Sequence, residues 1–158
     1  MHNLRFDTTL FTFTVPDAQI TSISFRTDGP SVLVAATDAG RVTVWDLEGK
    51  KLIAVMKDVH QGPVVAARFL PEQPVMITSG TDNAIKMWIF DHADQKPRLL
   101  RERSGHSLPP RRIRYYGDGT KAGNVILSAG SDRSLRIFST VQEQQSRELS
   151  QGHLKKSA

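Results

Sequence analysis

The chain repeats itself with a period of roughly 45 residues, and this repeat limits its fold more than any other feature of the sequence. Three sets of equivalent residues mark the period. They are Phe25, Phe69 and Tyr115, which are 44 and 46 residues apart; Trp45, Trp88 and Phe138, which are 43 and 50 apart; and His60, His106 and His153, which are 46 and 47 apart. A repeat of this length is typical of arrays in which each unit is one supersecondary structure that buries its apolar surface only against its neighbours.

Each repeat contains short segments with the hydrophobic alternation of a β-strand. Val42 and Val44 alternate with Arg41 and Thr43, for example, which is the period of two expected for a strand. Turn-forming stretches such as "TDAG" and "LEGKK" separate these segments. The pattern predicts four strands per repeat, and no segment has the periodicity of an amphipathic helix. We therefore predict an all-β chain.

Composition narrows the class of protein further. The 158 residues contain no apolar run long enough to span a bilayer, and the amino-terminal segment lacks the apolar stretch of a signal peptide. The sequence therefore predicts a soluble, intracellular protein that does not interact with membranes. Because the chain has no cysteine, disulfides, thiolate zinc sites and a cysteine nucleophile are excluded.

The repeat resembles that of the WD40 β-propeller family. A glycine-histidine pair, a hydrophobic strand, "SGxxD" and then "IxxW" or "VxxWD" recur along nearly the whole chain. The resemblance implies about three four-stranded blades, which would form an open arc of a larger propeller completed by the remaining blades of a parent protein. The expected division is 1–17 as the end of a preceding blade, 18–58, 59–104 and 105–150 as blades, and 151–158 as the start of another.

One repeat combines a histidine, a hydroxyl, a carboxylate and a tryptophan, namely His60, Thr78, Asp82 and Trp88. These residue types can form the nucleophilic apparatus of a hydrolase, with Thr78 or Ser79 as nucleophile, which needs an exposed hydroxyl beside an oxyanion site. The resemblance implies instead a buried structural relay of hydrogen bonds, and we favour this interpretation. We predict no catalytic residue.

The other two repeats are incomplete versions of this relay. The third retains His106, Ser128 and Asp132, but Phe138 replaces the tryptophan. The first has Ala35 and Ala39 where the hydroxyl and the carboxylate are expected. His2 and His92 have no second ligand at a metal-binding spacing, so we predict neither a metal site nor a cofactor.

Basic residues are concentrated between Lys96 and Arg114, a segment with a formal charge of +6 from seven basic residues and one acid, Glu102. The candidate binding residues are Arg98, Arg101, Arg103, Arg111, Arg112 and Arg114. Guanidinium groups can bind RNA phosphates, and Tyr115 or Tyr116 could stack on a base. The alternative that we favour is a solvated edge that contacts acidic proteins, with the tyrosines in the core.

A narrower resemblance rests on segments that are not general WD40 features. They are "WIFD" at 88–91, "GHSLPP" at 105–110 and "FSTV" at 138–141, and they are similar to the WD-repeat family of U3 small nucleolar RNA-associated protein 21. This resemblance implies a non-enzymatic nucleolar scaffold of the small-subunit processome that supports pre-18S ribosomal RNA processing. Its expected partners are other processome proteins and, through the basic residues, U3 snoRNA or pre-ribosomal RNA. The alternative is a generic WD40 peptide-binding adaptor, such as a ubiquitin-ligase substrate receptor.

Overall fold

The computed structural model describes residues 2–3, 8–9, 11–117, 125–139 and 147–149, and every regular element in them is a β-strand. The strands are β1 (His2–Asn3), β2 (Thr8–Thr9), β3 (Ile20–Phe25), β4 (Val32–Thr37), β5 (Val42–Asp46), β6 (Lys51–Met56), β7 (Val64–Phe69), β8 (Val75–Gly80), β9 (Ala84–Ile89), β10 (Arg98–Ser104), β11 (Pro110–Tyr116), β12 (Val125–Gly130), β13 (Leu135–Ser139) and β14 (Arg147–Leu149). No helix in these ranges is long and apolar enough to cross a membrane.

Twelve of these strands form three antiparallel sheets, each of four strands that pair in chain order. The sheets are β3–β6, β7–β10 and β11–β14, and β1 pairs separately with β2. This topology confirms the all-β fold of three four-stranded propeller blades. Blade one, blade two and blade three below denote these three sheets; the residue boundaries expected between the blades stay predictions.

The second strand of each blade is the most deeply buried. All six residues of β4, "VLVAAT", and all six of β8, "VMITSG", are buried. A strand that is covered on both faces lacks the alternation of a half-buried strand and is instead nearly continuously apolar. The hydroxyls within these strands must therefore find hydrogen-bond partners inside the blade.

Two apolar cores lie between adjacent blades. The first combines residues in the strands of blades one and two with Val59 and Phe90 of the adjoining loops: Val32, Val34, Ala36, Val42, Val44, Val59, Val64, Ala67, Phe69, Met76 and Phe90. The second combines residues of blades two and three: Ala66, Leu70, Val75, Ile77, Ile85, Met87, Ile113, Ile126 and Phe138. Each blade therefore buries its apolar residues against its neighbour, as the repeat predicts.

The arc is open at blade one. Ile20, Ile23 and Phe25 of β3 are 51%, 49% and 49% exposed. The equivalent aromatic of blade two, Phe69, is only 9% exposed, because it packs in the first core. The apolar face of β3 is thus uncovered by the described residues.

Polar side chains join blades one and two along their inner strands. Ser22 Oγ accepts from the Ala67 amide at 3.2 Å, and Ser24 Oγ accepts from the Phe69 amide at 2.9 Å. Arg68 Nη1 donates to the Ile23 carbonyl at 3.0 Å, again 45 residues away. We call this row of contacts the hydroxyl seam.

Among the residues that the structure describes, no such seam joins blades two and three. The repeat places Ala66 and Arg68 of β7 where β3 has Ser22 and Ser24, and β7 contains no hydroxyl side chain. Ser79 Oγ donates to the Pro110 carbonyl at 3.4 Å, and Asn83 Nδ2 donates to the Ser107 carbonyl at 3.2 Å. The contact between these blades therefore depends mainly on the second apolar core.

Candidate functional site

Blade two brings His60, Thr78, Asp82 and Trp88 into one continuous chain of hydrogen bonds. His60 Nδ1 lies 2.9 Å from Asp82 Oδ1, and His60 Nε2 lies 2.9 Å from Thr78 Oγ1. Trp88 Nε1 donates to the same Thr78 oxygen at 3.0 Å. The imidazole and the hydroxyl are buried, so the polar atoms of His60 and Thr78 exchange water for protein partners.

The partners assign the tautomer of His60. Nδ1 faces a carboxylate and must carry the proton, and Nε2 then accepts from the hydroxyl of Thr78, which in turn accepts from the indole of Trp88. A second proton on Nε2 would point at an oxygen that already accepts the indole N–H and would leave the hydroxyl proton without this acceptor. Burial lowers the pKa of His60 below its ordinary value of 6.5, although the Asp82 carboxylate opposes this shift. Burial and the hydrogen-bond pattern at Nε2 therefore both favour neutral imidazole.

The Asp82 carboxylate is held in the turn between β8 and β9. Partial burial would raise its pKa, but the amide of Gln61, the His60 ring and the amide of Ala84 together lower it below 3.8. The amide of Gln61 donates at 3.0 Å and that of Ala84 at 3.2 Å. Asp82 therefore remains ionised and connects the turn to the segment that carries the histidine.

A glycine is required beneath the imidazole. A Cβ at Gly80 would lie 2.3 Å from His60 Cγ, and one at Gly130 would lie 2.4 Å from His106 Nδ1. Blade one has Thr37 at the equivalent position, and the repeat has no histidine there. The glycines of "SG" in blade two and "AG" in blade three thus provide the space that the histidine rings occupy.

Blade three forms the same network with one change. His106 Nδ1 lies 3.0 Å from Asp132 Oδ2, and His106 Nε2 lies 2.8 Å from Ser128 Oγ. Phe138 offers no N–H to this hydroxyl. Ser134, which the sequence interpretation missed, donates to Asp132 Oδ1 at 2.8 Å. Burial opposes ionisation of Asp132, but Ser134, His106 and the Ser107 amide together hold its pKa well below the ordinary range.

Blade one satisfies its tryptophan by a different route. Trp45 Nε1 donates at 3.0 Å to Thr43 Oγ1, which itself donates to the Ala35 carbonyl at 3.2 Å. Thr43 thus replaces the missing hydroxyl at Ala35 from the neighbouring strand. One sequence signal indicates this role of Thr43: its hydroxyl lies two residues before the tryptophan and therefore on the same face of the strand.

The hydroxyls of Thr78 and Ser128 in the relays, and the neighbouring hydroxyl of Ser79, are not placed to attack a substrate. The exposed fractions of Thr78, Ser79 and Ser128 are all 0%. A nucleophile must reach its substrate and lie beside an oxyanion site. These groups instead form hydrogen bonds with one another, so that the buried donors and acceptors have partners.

The six candidate arginines fall on two different strands. Arg98, Arg101 and Arg103 lie on β10, the outer strand of blade two, whereas the other three lie on β11, the inner strand of blade three. Arg98 pairs with Asp91, and Arg103 lies 6.0 Å from the ring centroid of Phe138. The structure therefore does not bring the six arginines into one patch.

The arginines of β11 also divide into two groups. Arg111 donates from Nε to Ser131 Oγ at 2.9 Å, whereas Arg112 and Arg114 line a cavity together with Arg68 of β7. The sequence interpretation missed Arg68. A signal was present, because the repeat alignment of Phe69 with Tyr115 places Arg68 and Arg114 at equivalent positions. Within the described ranges, no group of His, Asp or Glu side chains could bind a metal ion.

Comparison with known proteins gives consistent matches. A family model described as "WDR36/Utp21 first beta-propeller" matches residues 1–91. Human WD repeat-containing protein 36 is 45% identical over 156 residues, which are 99% of this chain and 17% of the human protein.

Two yeast proteins are also similar to most of the chain. The U3 small nucleolar RNA-associated protein 21 homolog of Schizosaccharomyces pombe is 43% identical over 86% of this chain, and U3 small nucleolar RNA-associated protein 21 of Saccharomyces cerevisiae is 39% identical over 96%. The chain spans 15% and 17% of the length of these two relatives.

Proposed function

Since the chain belongs to the WDR36/Utp21 first β-propeller family, we propose that it is part of a non-enzymatic scaffold that acts in ribosome biogenesis. Two similar proteins carry names that associate them with the U3 small nucleolar RNA. In this proposal the protein joins U3-containing particles of the nucleolus, the small-subunit processome, and supports the processing of pre-18S ribosomal RNA.

The buried state of the relay hydroxyls supports the scaffold role most directly. Thr78 is bonded to both His60 and Trp88, and Ser128 is bonded to His106, inside the blades. These groups stabilise the blades and leave the loops and strand edges of the propeller as the parts that can bind other molecules. The partners in this proposal are other processome proteins, with direct RNA contact as the alternative mode of attachment.

Recovery of U3 snoRNA with the tagged protein that carries this chain tests the proposal. We expect U3 snoRNA to be enriched over a small nucleolar RNA that acts outside the processome, and depletion of the protein should lower 18S ribosomal RNA while the large-subunit RNA is maintained. Absence of U3 enrichment together with normal 18S processing would contradict the proposal and leave the generic peptide-binding adaptor. Thr78→Ala offers a further check. If the protein is a scaffold, this variant should unfold more easily than the unmodified protein, and no hydrolytic activity should be lost.

A further inference from the structure

The inner strands of the three blades meet at a small polar cavity. The cavity has a volume of about 310 Å³ and is lined by residues of β3, β7 and β11. Three arginines contribute to its wall: Arg68, Arg112 and Arg114. The other lining residues in the described part of the chain are Thr21, Ser22, Val65, Ala66 and Ile113, none of which carries a carboxylate.

These three arginines are exposed residues, and their side chains make few hydrogen bonds within the described part of the chain. Arg68 bonds to the Ile23 carbonyl at 3.0 Å, Arg112 to the Arg111 carbonyl at 3.4 Å and Arg114 to the Ile113 carbonyl at 3.2 Å. Among the described residues, none of the three forms an ion pair with an acid. A guanidinium has five N–H donors, so most donors of each side chain remain available to a ligand.

We propose that this cavity binds an acidic segment of a partner protein, whose Asp or Glu side chains enter it and pair with Arg68, Arg112 and Arg114. Guanidinium and carboxylate form short, charge-assisted and often bidentate hydrogen bonds. A carboxylate would also offset the repulsion of three like charges around one cavity. The inference rests on the proposed scaffold function and specifies that one partner of the scaffold is an acidic protein segment.

The lining favours an acidic peptide over RNA. Single-stranded RNA is recognised largely by stacking bases on aromatic side chains, and none of the described residues that line the cavity is aromatic. Tyr115 packs against the second apolar core, and Tyr116 is 60% exposed but is not part of the wall. A volume near the lower end of ligand pockets, roughly 300 to 1,000 Å³, suits one or two side chains better than stacked nucleotides.

Binding of a fluorescently labelled hexaglutamate peptide to the purified chain tests this inference, with fluorescence anisotropy as the readout. We expect the triple variant Arg68→Gln, Arg112→Gln, Arg114→Gln to weaken binding by at least about tenfold. Arg111→Gln is the matched control, because it removes the same charge from the same strand while its side chain bonds Ser131 outside the cavity. We expect it to weaken binding by less than about twofold.

Single variants keep the test valid if the triple variant fails to fold. Arg112 and Arg114 bond only to carbonyls of their own strand among the contacts above, so Arg112→Gln and Arg114→Gln should fold, as circular dichroism can verify. Each should weaken peptide binding by about threefold to tenfold. Replacement by Lys should recover part of the affinity, since lysine keeps the charge but not the bidentate geometry.

Three results would overturn the inference. The first is no binding of hexaglutamate by the unmodified chain, and the second is equal weakening by Arg111→Gln and Arg112→Gln, which would indicate only diffuse attraction. The third is tighter binding of a single-stranded hexauridylate that displaces the peptide and is lost in the same variants, which would make RNA the ligand. Because these measurements use purified chain without U3 snoRNA, their failure is distinguishable from failure of the scaffold function.

Discussion

Replacing Thr78 with Val would isolate the role of the central hydroxyl in blade two. The two side chains have nearly the same shape, so the apolar packing of the fully buried site is preserved. The hydroxyl is the partner of both His60 Nε2 and Trp88 Nε1, at 2.9 and 3.0 Å. Thr78→Val therefore leaves one acceptor and one donor unsatisfied in a single substitution.

The expected loss follows from the number of unsatisfied groups. Each buried polar group without a partner costs about 1–3 kcal/mol, and Trp88 is only partly buried, so we expect a loss of roughly 2–4 kcal/mol in the free energy of unfolding. Ser128→Ala in blade three should cost about 1–2 kcal/mol, because the hydroxyl there serves His106 and no indole.

A double-mutant cycle with Trp88→Phe separates the two contributions. In that background Thr78→Val leaves only the His60 nitrogen without its partner, so we expect a coupling energy of about 1–2 kcal/mol. Urea unfolding followed by far-ultraviolet circular dichroism at about pH 8, where His60 is neutral, measures the unmodified chain and the three variants without relying on tryptophan fluorescence.

Two outcomes would refute this reasoning. A loss below about 0.5 kcal/mol for Thr78→Val would mean that the hydroxyl contributes no more than an ordinary surface group. An equal loss with and without Trp88 would mean that the indole N–H has no energetic connection to Thr78, despite the distance of 3.0 Å.

Three further predictions concern pH, the hydroxyl seam and the glycine beneath the imidazole. Lowering the pH from about 7.5 to about 5.5 should reduce the urea midpoint of the chain, and His60→Gln should flatten this dependence. Burial lowers the folded-state pKa of His60 below 6.5, so the unfolded state takes up the proton first and the stability present above that value is lost below it. Ser22→Ala combined with Ser24→Ala should cost about 1 kcal/mol per lost bond and accelerate hydrogen exchange at the amides of Ala67 and Phe69, whereas unchanged exchange there would contradict the seam. Gly130→Ala should cost roughly 1–3 kcal/mol in urea unfolding, because its Cβ would lie 2.4 Å from His106 Nδ1; Gly29→Ala, whose Cβ would come no nearer than 3.9 Å to Arg26, is the control and should change stability by less than about 0.5 kcal/mol.

The sequence allowed the fold to be predicted because the repeat is visible in the residues themselves. The spacing of the aromatic residues and the histidines indicated the period. The hydrophobic alternation and the turn-forming stretches within each period predicted four strands per unit, and the three sheets confirm that number. The narrower resemblance, drawn from the segments around Trp88, Gly105 and Phe138, is confirmed by the match to the WDR36/Utp21 family model and by the three relatives that cover most of the chain. The blade boundaries and the roles of the named site residues stay predictions.

The contacts that the sequence did not reveal depend on which side chains meet between elements. Thr43 accepts the indole N–H of the tryptophan in blade one, and Ser134 donates to Asp132 in blade three. Neither residue occupies a position at which the repeat predicts a relay residue. The division of the arginines has the same origin. Arg68 and Arg112 are 44 residues apart and meet only because two inner strands converge, whereas the adjacent Arg111 bonds elsewhere.

The hydroxyl seam also limits where the chain can tolerate a change in length. The two residues of each contact are 45 positions apart in the sequence. The pairs are Ser22 with Ala67, Ile23 with Arg68, and Ser24 with Phe69. An insertion in a turn between β4 and β7 leaves these facing pairs intact, because the loop absorbs the extra residue. One residue inserted within β3 or β7 instead turns the following side chains to the opposite face of the strand and separates several pairs together. Within the first two blades, natural or engineered insertions should therefore occur in the turns and not in β3 or β7.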